Sequence, residues 1–402
     1  MTTAMISDDQ WDPVMRGLLE HMVTVEASDL YITAFSPAVF RIDGVGYPAK
    51  NPLDPQVIDT MAASLMTEAQ QEEFRTKLEM NLALATTTGG RFRVNLFRQR
   101  GATGMVVRLV RTTIKTLGEL NHPPALADVM RSKRGLILLV GGTGSGKSTT
   151  LAAMIDHRNR SESGHIITIE DPVEYIHQHR KCVVTQREVG IDTRSYHDAL
   201  KNALRQAPDL ILIGEIRDAE TMESAITFAE TGHLCVSTLH ANNANQAIER
   251  ILNFFPPARA HEIRLQLSLN LRAIISQRLL PTVSGGRAAA LEIMLDTPRI
   301  RDLIKRGEIE ALKDAMEQGY GEGCKTFDTA LYELCTAGKI SDAEALRAAD
   351  SPNNLRIRID RFRQRGEDPD QPVLKLAAPP KLKVVPVKPA PNPSPAAPNG
   401  RN

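Results

Sequence analysis

LILLVGGTGSGKSTT, residues 136–150, passes from an unbroken apolar run through a glycine-rich turn into the helix-forming segment TLAAMI. The run reads as a strand, and the spacing Gly141-x-x-x-x-Gly146-Lys147-Ser148 as a phosphate-binding loop. Glycines let backbone N–H groups turn inward around phosphate oxygens, and the N-terminus of the following helix adds a partial positive charge. Gly141, Gly142, Thr143, Gly144, Ser145, Gly146 and Thr149 then form the wall of an ATP site. Lys147 bridges the β and γ phosphates, and the Ser148 hydroxyl ligates Mg²⁺. A strand before and a helix after are the context that separates such a site from a chance run of glycines.

Outward from this loop, the short apolar runs LILLV, HIITI, LILIG and LCVST alternate with helical periods. SYHDALKNALRQ is one such helix, stopped by Pro208, and AETMESAITFAETG is another, closed by Gly232. Strand–helix alternation implies an α/β fold with an open, mainly parallel sheet, which binds ligands beyond the carboxyl ends of its strands. Two of those ends carry acids. HIITIEDPVEY delivers Glu170, Asp171 and Glu174 on a loop that Pro172 keeps from becoming helical, and PDLILIGEIRD delivers Glu215 directly after a buried run. Triphosphate hydrolysis needs one carboxylate to orient or deprotonate water and others to hold Mg²⁺, directly or through water. Glu174 is assigned as general base and Glu215 to the magnesium and water shell, with the reverse assignment left open. The residue before Glu215 is Gly214, where a Walker B pattern has Asp. In ETGHLCVSTLHANN, His233 precedes and His240 follows the LCVST strand.

The flanks divide the chain. Residues 1–112 read as an α+β unit. DPVMRGLLEHMVT is an amphipathic helix with Val14, Leu18 and Met22 on one face, PAVFRIDGVGYPA a hairpin, and RFRVNLFRQRGATGMVVRLV a second hairpin with Gly101 and Gly104 at its turn. Alternation in the latter sets Phe92, Val94 and Leu96 against Arg91, Arg93 and Asn95. Residues 113–133 form a linker and short helix, 134–283 the nucleotide-binding core, and 284–365 a mainly helical region in which Ser341 and Glu344 have capping-box spacing. From residue 366 onward, ten of the 24 prolines fall in one stretch, which reads as a disordered tail.

Composition bounds the alternatives. Lys+Arg 49 against Asp+Glu 48 gives no footprint for nucleic acid, and a helicase would need a basic or aromatic path that is not visible. The four cysteines contain no C-x-x-C pair, the N-terminal residues lack the apolar run of a secretory signal, and the longest apolar runs are too short to span a bilayer. The expectation is a cytoplasmic protein without zinc, disulfides or a transmembrane segment.

Taken in order, GGTGSGKST, TIEDPVEY, LILIGEIRD and TGHLCVSTLHANN resemble the Walker A, Asp, Walker B and His boxes of the secretion and type IV pilus ATPases, over roughly Trp11 to Arg361. Within that superfamily QREVGIDTRSYHDALKNALRQAPDLILIGEIRDAETM resembles the PilT/PilU retraction branch, and the PilU subgroup in particular. RIRDLIKRG resembles a further motif of that branch, with Arg299 and Asp302 where it has Ala and Asn. The resemblance implies a RecA-like domain preceded by a smaller PAS-like domain, a homo-hexameric ring, and ATP and Mg²⁺ as ligands. It implies catalytic roles for His240 and His233, and it matches Arg93 and Arg108, among the hairpin arginines, to groups that reach the γ-phosphate. It further implies a motor for pilus retraction and twitching motility at the inner face of the cytoplasmic membrane. Its partners would be a pilus platform protein and a PilT-like ATPase. A secretion or conjugation ATPase, and a weakly hydrolysing ring that serves as scaffold or regulator, are the competing readings.

Overall fold

The computed structural model of the chain describes residues 7–42, 44–87, 90–110 and 113–365, so the proline-rich tail lies outside the described residues. The N-terminal unit contains α1 (Pro13–Thr24), β1 (Asp29–Ile32), β2 (Pro37–Ile42), β3 (Val45–Pro52), α2 (Pro55–Ser64), α3 (Glu68–Lys77), β4 (Glu79–Ala85), β5 (Arg91–Gln99) and β6 (Ala102–Val110). Its strands form one antiparallel sheet in the order β3-β2-β1-β6-β5-β4. One face of the sheet is covered by helices, with Phe92, Val94 and Leu96 of β5 buried beneath them as the alternation predicts.

Two readings in this unit shift. The buried face of α1 is Met15, Leu19 and Met22, whereas Val14 is 48% exposed. Asp12 caps the helix by accepting from the Val14 and Met15 N–H groups. Of the expected stripe Met22 is buried and Leu18 packs partly buried against the core. Gly104 is inside β6 rather than at the hairpin turn, which Arg100 and Gly101 make with positive φ. At position 104 a Cβ would come within 2.7 Å of the Phe97 ring across the ladder, so glycine there makes room for an aromatic.

The remainder is built on α4 (Ala125–Met130), β7 (Gly135–Val140), α5 (Lys147–Ser161), β8 (Gly164–Glu170), β9 (Cys182–Glu188), α6 (Tyr196–Ala203), β10 (Leu210–Ile213), α7 (Ala219–Glu230), β11 (Leu234–Leu239), α8 (Ala244–Asn253), α9 (Ala260–Asn270), β12 (Leu271–Pro281) and β13 (Arg287–Leu295). The sheet order is β13-β12-β7-β11-β10-β8-β9, parallel except for the β12–β13 hairpin. β7, β10 and β11 are buried nearly throughout, as parallel strands covered on both faces must be. This is the RecA-like α/β fold, with a smaller PAS-like α+β unit before it. Because β13 pairs over its whole length with β12, the sheet continues past residue 283, where the helical region was expected to begin.

Helices α10 (Pro298–Arg306), α11 (Leu312–Gln318), α12 (Phe327–Thr336), α13 (Asp342–Ala348) and α14 (Pro352–Arg365) follow. Ile300, Leu303 and Ile304 of α10 face the core, while Arg301 reaches Asp296 at 2.5 Å. Asp296 also holds Arg272 at 2.7 Å, and Arg272 donates to the Arg134 carbonyl at the root of β7. Ser341 caps α13 by accepting from the Glu344 N–H, and the Glu344 carboxylate pairs with Arg347. No helix among the described residues is long and apolar enough to cross a membrane.

Candidate active site

The carboxyl ends of β7, β8, β10 and β11 open on one cleft of about 250 Å³. Between β7 and α5, Gly141 and Gly146 have φ of +153° and +87°. A Cβ at Gly141 would stand 2.6 Å from the Gln277 carbonyl, and one at Gly146 2.8 Å from the Gln277 amide nitrogen. Glycine is therefore required at both positions by conformation and by space. Thr143, Gly144, Lys147 and Ser148 line the cleft. The Lys147 ammonium donates to the Gly141 and Gly142 carbonyls at 2.8 and 2.9 Å, and burial lowers its pKa against the pull of Glu215 and Glu174. The Thr149 hydroxyl is 2.8 Å from that of Tyr175.

Opposite the loop, Glu170, Asp171, Glu174, Glu215 and His240 line the same cleft. Glu215 is fixed by Arg217 at 2.9 Å and by His240 Nε2 at 3.1 Å. The strand ends that carry it are tied together: Thr238 donates its hydroxyl to the Gly214 carbonyl at 2.7 Å, and the Ile216 N–H donates to the Thr238 carbonyl. Gly214 is tightly enclosed. A Cβ there would meet the Glu170 Cα at 3.2 Å, the Ile169 carbonyl at 3.3 Å and the Tyr196 hydroxyl at 3.0 Å, so a larger residue before Glu215 would have to push its neighbours aside.

Burial lifts the Glu170 carboxyl to about 7, against the support of the Gln186 amide at 3.5 Å. The sequence shows Glu170 at a strand end but gives it no role, and its perturbed carboxyl makes it a second candidate base beside Glu174. The carboxylates of Glu170, Asp171, Glu174 and Glu215 share the cleft with the Ser148 hydroxyl. Among the described residues no group of three or more His, Cys, Asp and Glu side chains could hold a metal by itself. The donor set suits Mg²⁺, which takes one or two protein oxygens and completes its shell with phosphate and water.

Other expected residues are placed elsewhere. His233 is at the opposite end of β11 from His240, about 20 Å away along the strand. Its ring bonds the Thr231 hydroxyl and the Phe228 carbonyl, outside the cleft of its own chain. Arg108 donates to buried Asp29 at 2.9 Å within the N-terminal unit. Arg93 lies opposite Arg108 across the β5–β6 ladder, but it reaches the core, pairing with Glu188 at the end of β9. The carboxylates of Glu170 and Asp171 also act on its guanidinium.

Behind the loop, His122 Nε2 is 2.9 Å from the Thr150 hydroxyl, which donates to Gln277 Oε1 at 2.8 Å. Burial lowers His122 to about 4, so it is neutral at physiological pH. A second cleft, of about 510 Å³, opens beside this chain of bonds between residues 113–122 and the β12–β13 hairpin. Beneath the His240 loop, buried Glu292 accepts from the Ala244 N–H that opens α8 and from the Ser276 hydroxyl, both at 2.9 Å, and burial raises its carboxyl to about 6. His122, Glu188, Gln277 and Glu292 come from sequence-distant strands and connectors, so no local motif announces them.

A phosphate loop facing strand-end carboxylates defines a nucleotide-binding α/β protein. The family model of the Type II/IV secretion system protein matches residues 7–333. Over 344 residues the chain is 52% identical to the type IV pilus ATPase PilU of Pseudomonas aeruginosa, covering 85% of this chain and 90% of that protein. It is 41% identical to the type IV pilus retraction ATPase PilT of the same organism, covering 82% and 96%. The crystal structure of the pilus retraction motor PilT with bound ADP superposes with a TM-score of 0.79 at 40% identity, covering 85% of this chain and 98% of that one. The chain belongs to the type II/IV secretion ATPase family, in its PilT/PilU branch of type IV pilus ATPases.

Proposed function

We propose that the chain is an ATP-hydrolysing, hexameric motor for type IV pilus retraction, working at the cytoplasmic face of the inner membrane against a pilus platform protein, as a PilU-like accessory to a PilT-like ATPase. The observation that carries this is the convergence of Lys147, Ser148, Glu174, Glu215 and His240 on one cleft, with Arg93 brought to its rim by a separate unit. Similarity to PilU and PilT supports the pilus assignment.

The triphosphate lies along the loop from Gly141 to Thr149, and the nucleoside extends into the cleft between the connector and the β12–β13 hairpin. Lys147 exchanges the Gly141 and Gly142 carbonyls for phosphate oxygens. Ser148 and Glu215 would hold Mg²⁺, directly or through water, and bound Mg²⁺ supplies charge neutralisation on the β- and γ-phosphates. Glu174 orients and deprotonates the attacking water, while His240, hydrogen-bonded to Glu215, senses the γ-phosphate end. Closure of the N-terminal unit brings Arg93 onto the charge that develops on the transferring phosphoryl group. Arg108 joins it only by releasing Asp29, and His233 acts at a neighbouring subunit.

The test has two parts. Steady-state ATPase of the wild type is expected to exceed that of Lys147→Ala by at least about a hundredfold, and equal rates would favour a scaffold. Deletion of the gene is expected to leave surplus surface pili and no twitching, whereas loss of pili would overturn retraction.

A further inference from the structure

We propose that Glu188 is a positioning residue that parks Arg93 while no γ-phosphate is present and yields it to the triphosphate on closure. The inference rests on the assignment of Arg93 to the γ-phosphate. Glu188 is the last residue of β9, directly opposite Glu170 in the β8–β9 ladder, one strand away from the cleft wall. Its Oε2 accepts from the Val173 N–H at 3.3 Å, which fastens it to the loop carrying Glu174. The other partner of its carboxylate is the guanidinium of Arg93, which belongs to the N-terminal unit. Both side chains are largely withdrawn from water, at 18% and 14% exposure.

A guanidinium so placed is not left without an anion: burial disfavours its charge, and Glu188, Glu170 and Asp171 offset that cost. Glu170 and Asp171 line the cleft and Glu188 does not. Arg93 therefore rests on the one of these carboxylates that stands outside the cleft, next to two that border the phosphate site. An incoming triphosphate offers it a stronger, multiply charged partner. The exchange of one anion for another lets the N-terminal unit change its attachment without stranding a charge. After hydrolysis the γ-phosphate leaves and Glu188 recaptures the arginine.

The sign of the effect follows. Removing the charge of Glu188 frees Arg93 from its resting partner. That release favours the transition state relative to the free enzyme, which kcat/KM reads. A residue that merely braced the fold would lower kcat/KM when altered.

The experiment is a double-mutant cycle on the full chain, with Mg²⁺ and ATP, across wild type, Glu188→Gln, Arg93→Ala and the double variant. Glutamine keeps the acceptor for the Val173 N–H. The expected result is a rise in kcat/KM of about tenfold for Glu188→Gln, a change of less than about twofold for the same substitution in the Arg93→Ala background, and an intermediate rise for Glu188→Asp, whose shorter arm loosens the pair. Glu188→Asp alone decides the matter if Glu188→Gln does not fold. An unchanged or lowered kcat/KM with Arg93 present, or an equal rise in both backgrounds, overturns the proposal. If Arg93→Ala itself leaves kcat/KM at the wild-type value, the assignment of Arg93 fails instead, and the two failures are told apart.

Discussion

Glu292 shows how much a single buried carboxyl can weigh. Its ordinary value of 4.5 is raised to about 6 because burial disfavours the charged form more than the Ala244 N–H and Ser276 hydroxyl support it. A folded-state value above the unfolded one means that the stabilising contribution is complete below pH 4.5 and is lost as pH rises through 6. Glutamine is neutral throughout and keeps an acceptor oxygen. Glu292→Gln should therefore unfold in urea at the wild-type midpoint near pH 4, and by about 2 kcal/mol more stably at pH 8. An equal stability difference at both pH values would count against this account. At this scale the sequence was legible where chemistry is local. Lys147, Ser148, Glu174 and Glu215 could be picked out because loop and strand-end spacing positions them. Glu292 could not, since its environment is assembled from β12, β13 and α8.

Among the elements, α1 separates pattern from packing. Its apolar residues recur often enough to fit two faces, and the choice is made by packing, which buries Met15, Leu19 and Met22 against the sheet's core. Met15, fully buried, should cost about 2–5 kcal/mol when replaced by alanine. Val14→Ala should stay within about 0.5 kcal/mol. Chemical denaturation of the two variants checks the assignment, and reversed magnitudes would restore the face read from periodicity. Gly104 makes the same point in a strand. Beside Gly101 it resembles turn composition, but its reason is the Phe97 ring on the neighbouring strand, which spacing does not reveal. Four of the six parallel strands, β7, β8, β10 and β11, were readable one by one, because each is a short apolar run with its own stop signal, whereas β9 and β12 were not read as strands. The antiparallel β13 was not separated from the helices after it, because AAALEIML suits either structure until its partner is known.

The whole molecule consists of two units meeting beside the nucleotide cleft, with the Arg93–Glu188 pair across the junction. If triphosphate binding draws Arg93 inward, a non-hydrolysable ATP analogue should shorten the distance between fluorophores placed on β3 and on α14, and ADP should shorten it less. Arg93→Ala should abolish the difference between the two nucleotides. Identical distances with analogue and ADP in the wild type would rule out closure driven by the γ-phosphate.

The chain of bonds from His122 through Thr150 to Gln277 bears on where such a swing pivots. It stitches the far end of the connector to the helix that opens at the phosphate loop and to the strand alongside. Bending is then left to the residues before His122, which shortens the crank and places its axle beside the ligand. A small rotation there would sweep the outer edge of the N-terminal sheet through a much longer arc.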